Sequence, residues 1–246
     1  MREFLGDFLA FDSRVWRTIF LLFARPGQLS VEYVAGRRAR YMPPIRLYVF
    51  AGFLYFTVVA IGGAGPFVPT ITAREEGVQV HFGGSSAAGG ATTDESRSRG
   101  PFADERVERV AQDPEAFGNA VYGTLSYAHF LLLPLFALLL AALYRKRYYI
   151  EHLVFGVHFH AIALLPAALI ALVFEALALD PGGSLGQGVM AVWAICLAVY
   201  LVLALQRVYG GGMLRTLIKT VTLGLSYALV AAIVVAAVSY LTIRFY

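Results

Sequence analysis

Long apolar runs separated by short polar turns organise this chain. The runs extend from about Arg46 to Gly62, Leu125 to Tyr144, Tyr148 to Leu177, Gly188 to Leu205 and Thr220 to Ile243. Each crosses about 30 Å of hydrocarbon, the shorter ones with help from their flanks. The pattern predicts an all-α polytopic membrane protein with about five transmembrane helices, divided as an N-terminal segment 1–45, a first span 46–63, a loop 64–124 and a helical bundle 125–246. Between the second and third runs lies only Arg145-Lys146-Arg147, so those two spans form a helical hairpin. Asp180-Pro181-Gly182-Gly183 is a turn, and Gly210-Gly211-Gly212 sits in a basic loop from Arg207 to Lys219.

Ahead of the first span the period changes. Over residues 1–25, Phe4, Phe8, Val15, Trp16, Ile19, Phe20 and Phe23 share roughly half of a helical wheel, with Asp7, Arg14 and Arg17 on the other half. Asp12-Ser13 is placed to cap a second segment, and Pro26-Gly27 ends it. An aromatic face beside arginines suits the membrane interface, and suits equally a helix packed on the protein's own cytoplasmic face. A short helix is expected from Ser30, with Gly36 as its stop. In the 64–124 loop, Val78 to Phe82 alternates like a strand, and Pro69 to Ala73 is its hairpin partner. Residues 83–100 read as a flexible linker and 102–117 as a solvated helix.

Composition agrees with this class. Hydrophobic residues make up 59% of the chain and charged residues only 15%, against about 25% charged in ordinary soluble domains; the mean hydropathy is +0.67. The net charge of +4 does not point to nucleic acid, because its basic residues flank the spans. Eight Lys and Arg precede or open the first span, three lie in the second-to-third turn and three from Arg207 to Lys219, while the long loop holds nine acidic and five basic residues. The positive-inside rule then places the N-terminus and both basic turns in the cytoplasm, and the long loop and C-terminus outside. The single cysteine, Cys196, excludes a disulfide framework and a thiolate zinc site. Asp7, Asp12, Arg14 and Arg17 interrupt the first apolar stretch and no small-residue cleavage motif follows, so no cleavable signal is expected.

The chemistry concentrates at the start of the third span, where Glu151, His152, His158 and His160 lie in apolar sequence. Ionisable groups in a span are costly and often mark function. No two of the four are spaced i, i+3 or i, i+4, and His158 and His160 point to nearly opposite sides, so one helix cannot chelate an ion with them. His129 on the antiparallel second span lies several ångströms off the depth of His158, which makes it a weak partner. Three readings stay open for the histidines. They donate hydrogen bonds, for instance to the Phe130 carbonyl that Pro134 leaves unpaired; they bind a ligand or headgroup; or His152, His158 and His160 serve a metal or a proton. Arg37, Arg38, Arg40, Arg46, Arg145, Lys146, Arg147 and Lys219 form a cytoplasmic rim that sets topology and also suits anionic headgroups. Arg37, Arg38 and Tyr41, with Glu151, His152, His158 and His160, are therefore the candidate ligand or headgroup residues. Trp193 and Cys196 are expected to pack, and Gly224 with Ala228 forms a small-residue face for helix packing. Nucleophile elbow, P-loop, dinucleotide fingerprint and internal repeat are all missing from the sequence.

Two motifs carry a resemblance. Gly36-Arg37-Arg38-x-x-Tyr41-x-x-Pro44 and Tyr148-Tyr149-x-Glu151-His152-Leu153-Val154-Phe155-x-x-His158-Phe159-His160 resemble the bacterial membrane proteins grouped as domain-of-unknown-function family 3667. Members commonly carry lysine where this chain has Arg37, and often begin with a cysteine zinc ribbon, for which this sequence holds no ligand set. The resemblance implies a helical fold in a bacterial inner membrane and supplies no activity. The leading expectation is a non-enzymatic module, without a cofactor, that binds or helps move lipid or another small amphiphile. The expected partners are membrane lipids, a second copy or another membrane protein, and not nucleic acid. The alternatives are a metal-dependent membrane enzyme using the third-span cluster, and a structural subunit of a membrane complex.

Overall fold

The computed structural model describes residues 13–62, 69–74, 77–82 and 114–245. In chain order these form α1 (Ser13–Ala24), α2 (Gln28–Val34), a 3-10 turn at Arg38–Arg40 and α3 (Pro44–Gly62). A hairpin of β1 (Pro69–Arg74) and β2 (Gly77–Phe82) follows, then α4 (Pro114–Leu143), α5 (Tyr149–Ala176), α6 (Ser184–Tyr209) and α7 (Met213–Phe245). Residues 1–12 of the expected N-terminal helix, the linker 83–100 and most of the expected 102–117 helix lie outside the described residues.

Local chemistry places the boundaries. Proline at the first position of α3 costs no hydrogen bond, because that amide has no helical partner. The α5 N-terminus is closed by a capping box between Tyr148 and Glu151. Gly210, at φ 69°, ends α6 in a conformation that disfavours other residues. The hairpin pairs antiparallel, Pro69 opposite Phe82 through Arg74 opposite Gly77, one residue longer per strand than its alternation predicts. One expectation is corrected: the short helix starts at Gln28 rather than Ser30. α4 begins at Pro114, eleven residues ahead of the expected span, and its described apolar part is Ala128–Leu143.

Among the described residues, four helices are long and apolar enough to cross a membrane. They are α5, α6, α7 up to Thr242, and α3 taken with the turn before it, while the described apolar part of α4 is Ala128–Leu143. The bundle is built around α5, which packs against α3 on one side, α4 on another and α2 near its N-terminal half. Over half of its apolar window is buried, 56%, against 17% for α6 and 11% for α7, so α5 is the core, while α7 packs on α4, and α6 on α7 and α2. Small residues on α5 (Ala161, Ala167, Ala168, Ala171) allow this close packing. Two packing expectations also change. Cys196 is exposed, and Gly224 has open space where a side chain would sit, so the Gly224–Ala228 face is uncovered by the other described residues.

α1 and α2 lie across the same end of the bundle as the 144–148 turn. Thr18 and Leu22 are buried, whereas Trp16, Phe20 and Phe23 form an exposed aromatic stripe beside Arg14 and Arg17. The dock is made largely by backbone. Tyr200 donates to the Leu22 carbonyl at 2.8 Å, Arg207 donates to the Pro26 carbonyl, and the Met42 amide donates to the Thr18 hydroxyl at 2.9 Å.

Candidate functional site

The four third-span candidates separate. Glu151 caps its own helix and accepts from Arg147 at 2.9 Å, so its charge is used in a local ion pair. The next residue, His152, is buried with Nδ1 2.7 Å from the Tyr209 hydroxyl, its ring stacked on that of Tyr209. Tyr209 stacks in turn on Tyr144, over which Lys219 sits at 3.9 Å while donating to the Leu143 carbonyl. Lys219 thereby serves a helix C-terminus, where a cation is favourable. His158 turns toward α2 and shares a 3.0 Å hydrogen bond with Ser30, with Tyr33 against its ring edge. His160 turns the other way, into the bundle.

The basic motif joins the α2 side. Arg37 grips Glu32 with two nitrogens, which holds the Glu32 carboxyl below its ordinary value of 4.5 and raises the Arg37 guanidinium. Arg38 lies over the Tyr33 ring at 5.0 Å, and Tyr41 packs half-buried against the core. Arg38, Tyr33, His158 and Ser30 thus make one contact chain, but Arg37 is committed to Glu32. The seven candidates do not converge on a single pocket.

What does converge is a partly open cavity of about 320 Å³ lined by α3, α4, α5, α6 and α7. Leu132, Phe159, Leu164 and Leu197 give it apolar walls, and His129, His160 and Tyr227 bring polar groups to it. His160 is anchored at both nitrogens, with Nδ1 2.8 Å from the Gly156 carbonyl and Nε2 2.8 Å from the Tyr227 hydroxyl. A carbonyl only accepts, so Nδ1 carries the proton. In the neutral ring Nε2 then accepts from Tyr227. The His129 ring stacks on Tyr48 and meets the His160 ring edge at 5.7 Å. Among the described residues its buried Nε2 has no hydrogen-bond partner, a state it shares with Nε2 of His152 and His158 outside the cavity.

One sequence expectation changes: the described histidine hydrogen bonds run to Ser30, Tyr209, Gly156 and Tyr227, and the Phe130 carbonyl is not among them. His129, too far from His158 as expected, faces His160, two residues deeper along α5. Trp193 packs against the core, as expected, and also lines the cavity. The tyrosines that hold the histidines, Tyr209, Tyr227 and Tyr48, are the residues sequence reasoning missed; for Tyr209 and Tyr227 a helix depth matching that of His152 and His160 is the signal that could have found them. Among the described residues no three His, Cys, Asp or Glu side chains are grouped to hold a metal ion.

Comparison with known families agrees with the first motif. Residues 12–56 match the model of a protein of unknown function, DUF3667, a segment that spans α1, α2, the arginine turn and most of α3. The Tyr148–His160 motif lies outside that match. No curated protein and no solved structure matches the chain.

Proposed function

We propose that this chain, a DUF3667 protein by its matched segment, is a five-span membrane protein that binds an amphiphile between its helices, as a non-enzymatic binding or transfer module. The cavity carries this reading. At about 320 Å³ it falls in the range of small-molecule sites, ~300–1,000 Å³, and it has their character of apolar walls with a few fixed polar groups. It lies deep between helices. By the standard rise, His160 is roughly 17 Å along α5 from Tyr149 and His129 roughly 21 Å along α4 from Leu143, near the middle of a ~30 Å hydrocarbon slab. Its occupant is therefore drawn from the bilayer. Leu132, Trp193, Leu197 and Ala231 are only half-buried, which suits lateral entry.

Five spans follow from treating α4 as the antiparallel partner of α5, since helices joined by the short 144–148 turn share one slab. Arginines and lysine at that turn, at 207–219 and before α3 favour the cytoplasmic side for all three. The exposed aromatic stripe of α1, flanked by Arg14 and Arg17, suits the cytoplasmic interface of a bacterial inner membrane.

The test is native mass spectrometry of protein released from nanodiscs, comparing wild type with Ala231→Phe, which places a ring in the cavity. Wild type is expected to retain an apolar adduct that the variant loses. A wild-type protein released without any adduct, or an adduct held equally by both, sinks the reading.

A further inference from the structure

We infer that the cavity selects an uncharged lipid bearing a hydroxyl group, received by Tyr227. This rests on the binding reading above and adds the ligand's chemistry to it.

The first constraint is charge. Among the described residues lining the cavity none is Asp, Glu, Lys or Arg. A phosphate or carboxylate there would have no counter-ion at a depth where unpaired charge is costly by several kcal/mol. A neutral head with one or two hydrogen bonds meets no such penalty.

The second constraint is hydrogen-bond direction. The Gly156 carbonyl fixes the His160 proton on Nδ1, so His160 Nε2 takes the Tyr227 proton. Tyr227 has no second proton to give. Its oxygen keeps a free lone pair, so toward a ligand it acts as an acceptor. An acceptor on an otherwise uncharged wall matches a hydroxyl, which gives its proton to Tyr227. An ether, ester or ketone oxygen has no proton for Tyr227 and leaves that lone pair unmet. A buried polar group that loses its partner costs about 1–3 kcal/mol, and about 1.4 kcal/mol is a factor of ten in affinity. The hydroxyl is thus expected to improve binding by about ten-fold over its methyl ether.

Prenyl alcohols and diacylglycerols share this chemistry, and the arms of one experiment separate them. Wild-type protein in detergent is titrated with farnesol, farnesyl methyl ether, farnesyl phosphate and dioctanoylglycerol, and the bound fraction is read by native mass spectrometry. The expected order puts farnesol or dioctanoylglycerol, whichever is the better fit, about ten-fold ahead of the ether and of the phosphate. Equal binding of alcohol and ether overturns the hydroxyl assignment while leaving amphiphile binding intact. Preference for the phosphate overturns it as well. Failure of all four compounds to bind removes the cavity reading itself.

Discussion

At Arg37 the charge that looks like a headgroup ligand is already engaged. Its guanidinium meets Glu32 from five positions away, and that hydrogen bond is the largest cause of the lowered Glu32 carboxyl, with Gln28 adding to it. A carboxyl whose folded value lies below its unfolded 4.5 contributes stability above that pH and loses it as pH falls through the folded value. Arg37→Gln should therefore lower the melting temperature slightly at pH 7, in keeping with the small worth of exposed pairs. The gap to wild type should close as the pH drops below 4.5. Melting curves in detergent at pH 7 and pH 4 check this, and a gap of the same size at both values contradicts the pairing. Glu151 is likewise engaged, paired with Arg147 and capping its own helix. An acid inside an apolar sequence is, at this position, helix-end chemistry. Neither residue is free to bind a ligand without first giving up a partner.

Among the elements, the α1–α2 segment is the one whose attachment depends on backbone geometry. Gly27 stands at φ 75°, and a Cβ there would lie 2.8 Å from the Ala204 carbonyl oxygen and 2.9 Å from its Cα. The positive φ alone costs an L-residue about 1–2 kcal/mol, and the fixed backbone of α6 cannot move aside as a flexible side chain could. Gly27→Ala should destabilise the protein by about 2 kcal/mol or more and expose the 25–37 segment to limited proteolysis; an unchanged digestion pattern and melting temperature would contradict the dock. Here the limits of sequence reading are physical. Apolar runs and turn residues locate helices, because a span must satisfy its own backbone, and every run from Arg46 onward corresponds to a helix. The hairpin is legible from its alternation. Side-chain partnerships between helices depend on rotation and depth to within a residue or two. The depth argument against His129 holds for His158 and fails for His160, only two residues on. The opposite orientation of those two histidines is legible from the 3.6-residue period, but what each one meets, Ser30 or Tyr227, is not.

For the molecule as a whole, lipid is as apolar as a leucine side chain, so burial of apolar area does not hold these helices together as it would in water. Van der Waals packing of α5 does, aided by interhelical hydrogen bonds such as His160–Tyr227 and His152–Tyr209, each worth about 0.6 kcal/mol on average in a membrane. That balance explains how α6 and α7 can remain largely exposed and leave a cavity against α5. It also makes orientation depend on charge rather than on packing. Moving an arginine or lysine to the bilayer centre costs about 2.5–3.5 kcal/mol on insertion scales, so the three basic residues of the 145–147 turn and the three from Arg207 to Lys219 oppose translocation together. The prediction is a sidedness pattern in a Cys196→Ala background. Ser184→Cys, a near-isosteric change at an exposed position in the 180–184 turn, should react with an impermeant maleimide from outside intact cells. Lys146→Cys and Gly212→Cys, the latter where a side chain has open space, should react only after permeabilisation. Labelling of all three from the same side would remove α5 and α6 as successive crossings, and with them the placement of the cavity at mid-membrane. The reverse pattern would keep the crossings and invert the protein, moving the Arg37–Arg38 segment and the α1 aromatic stripe to the outer leaflet.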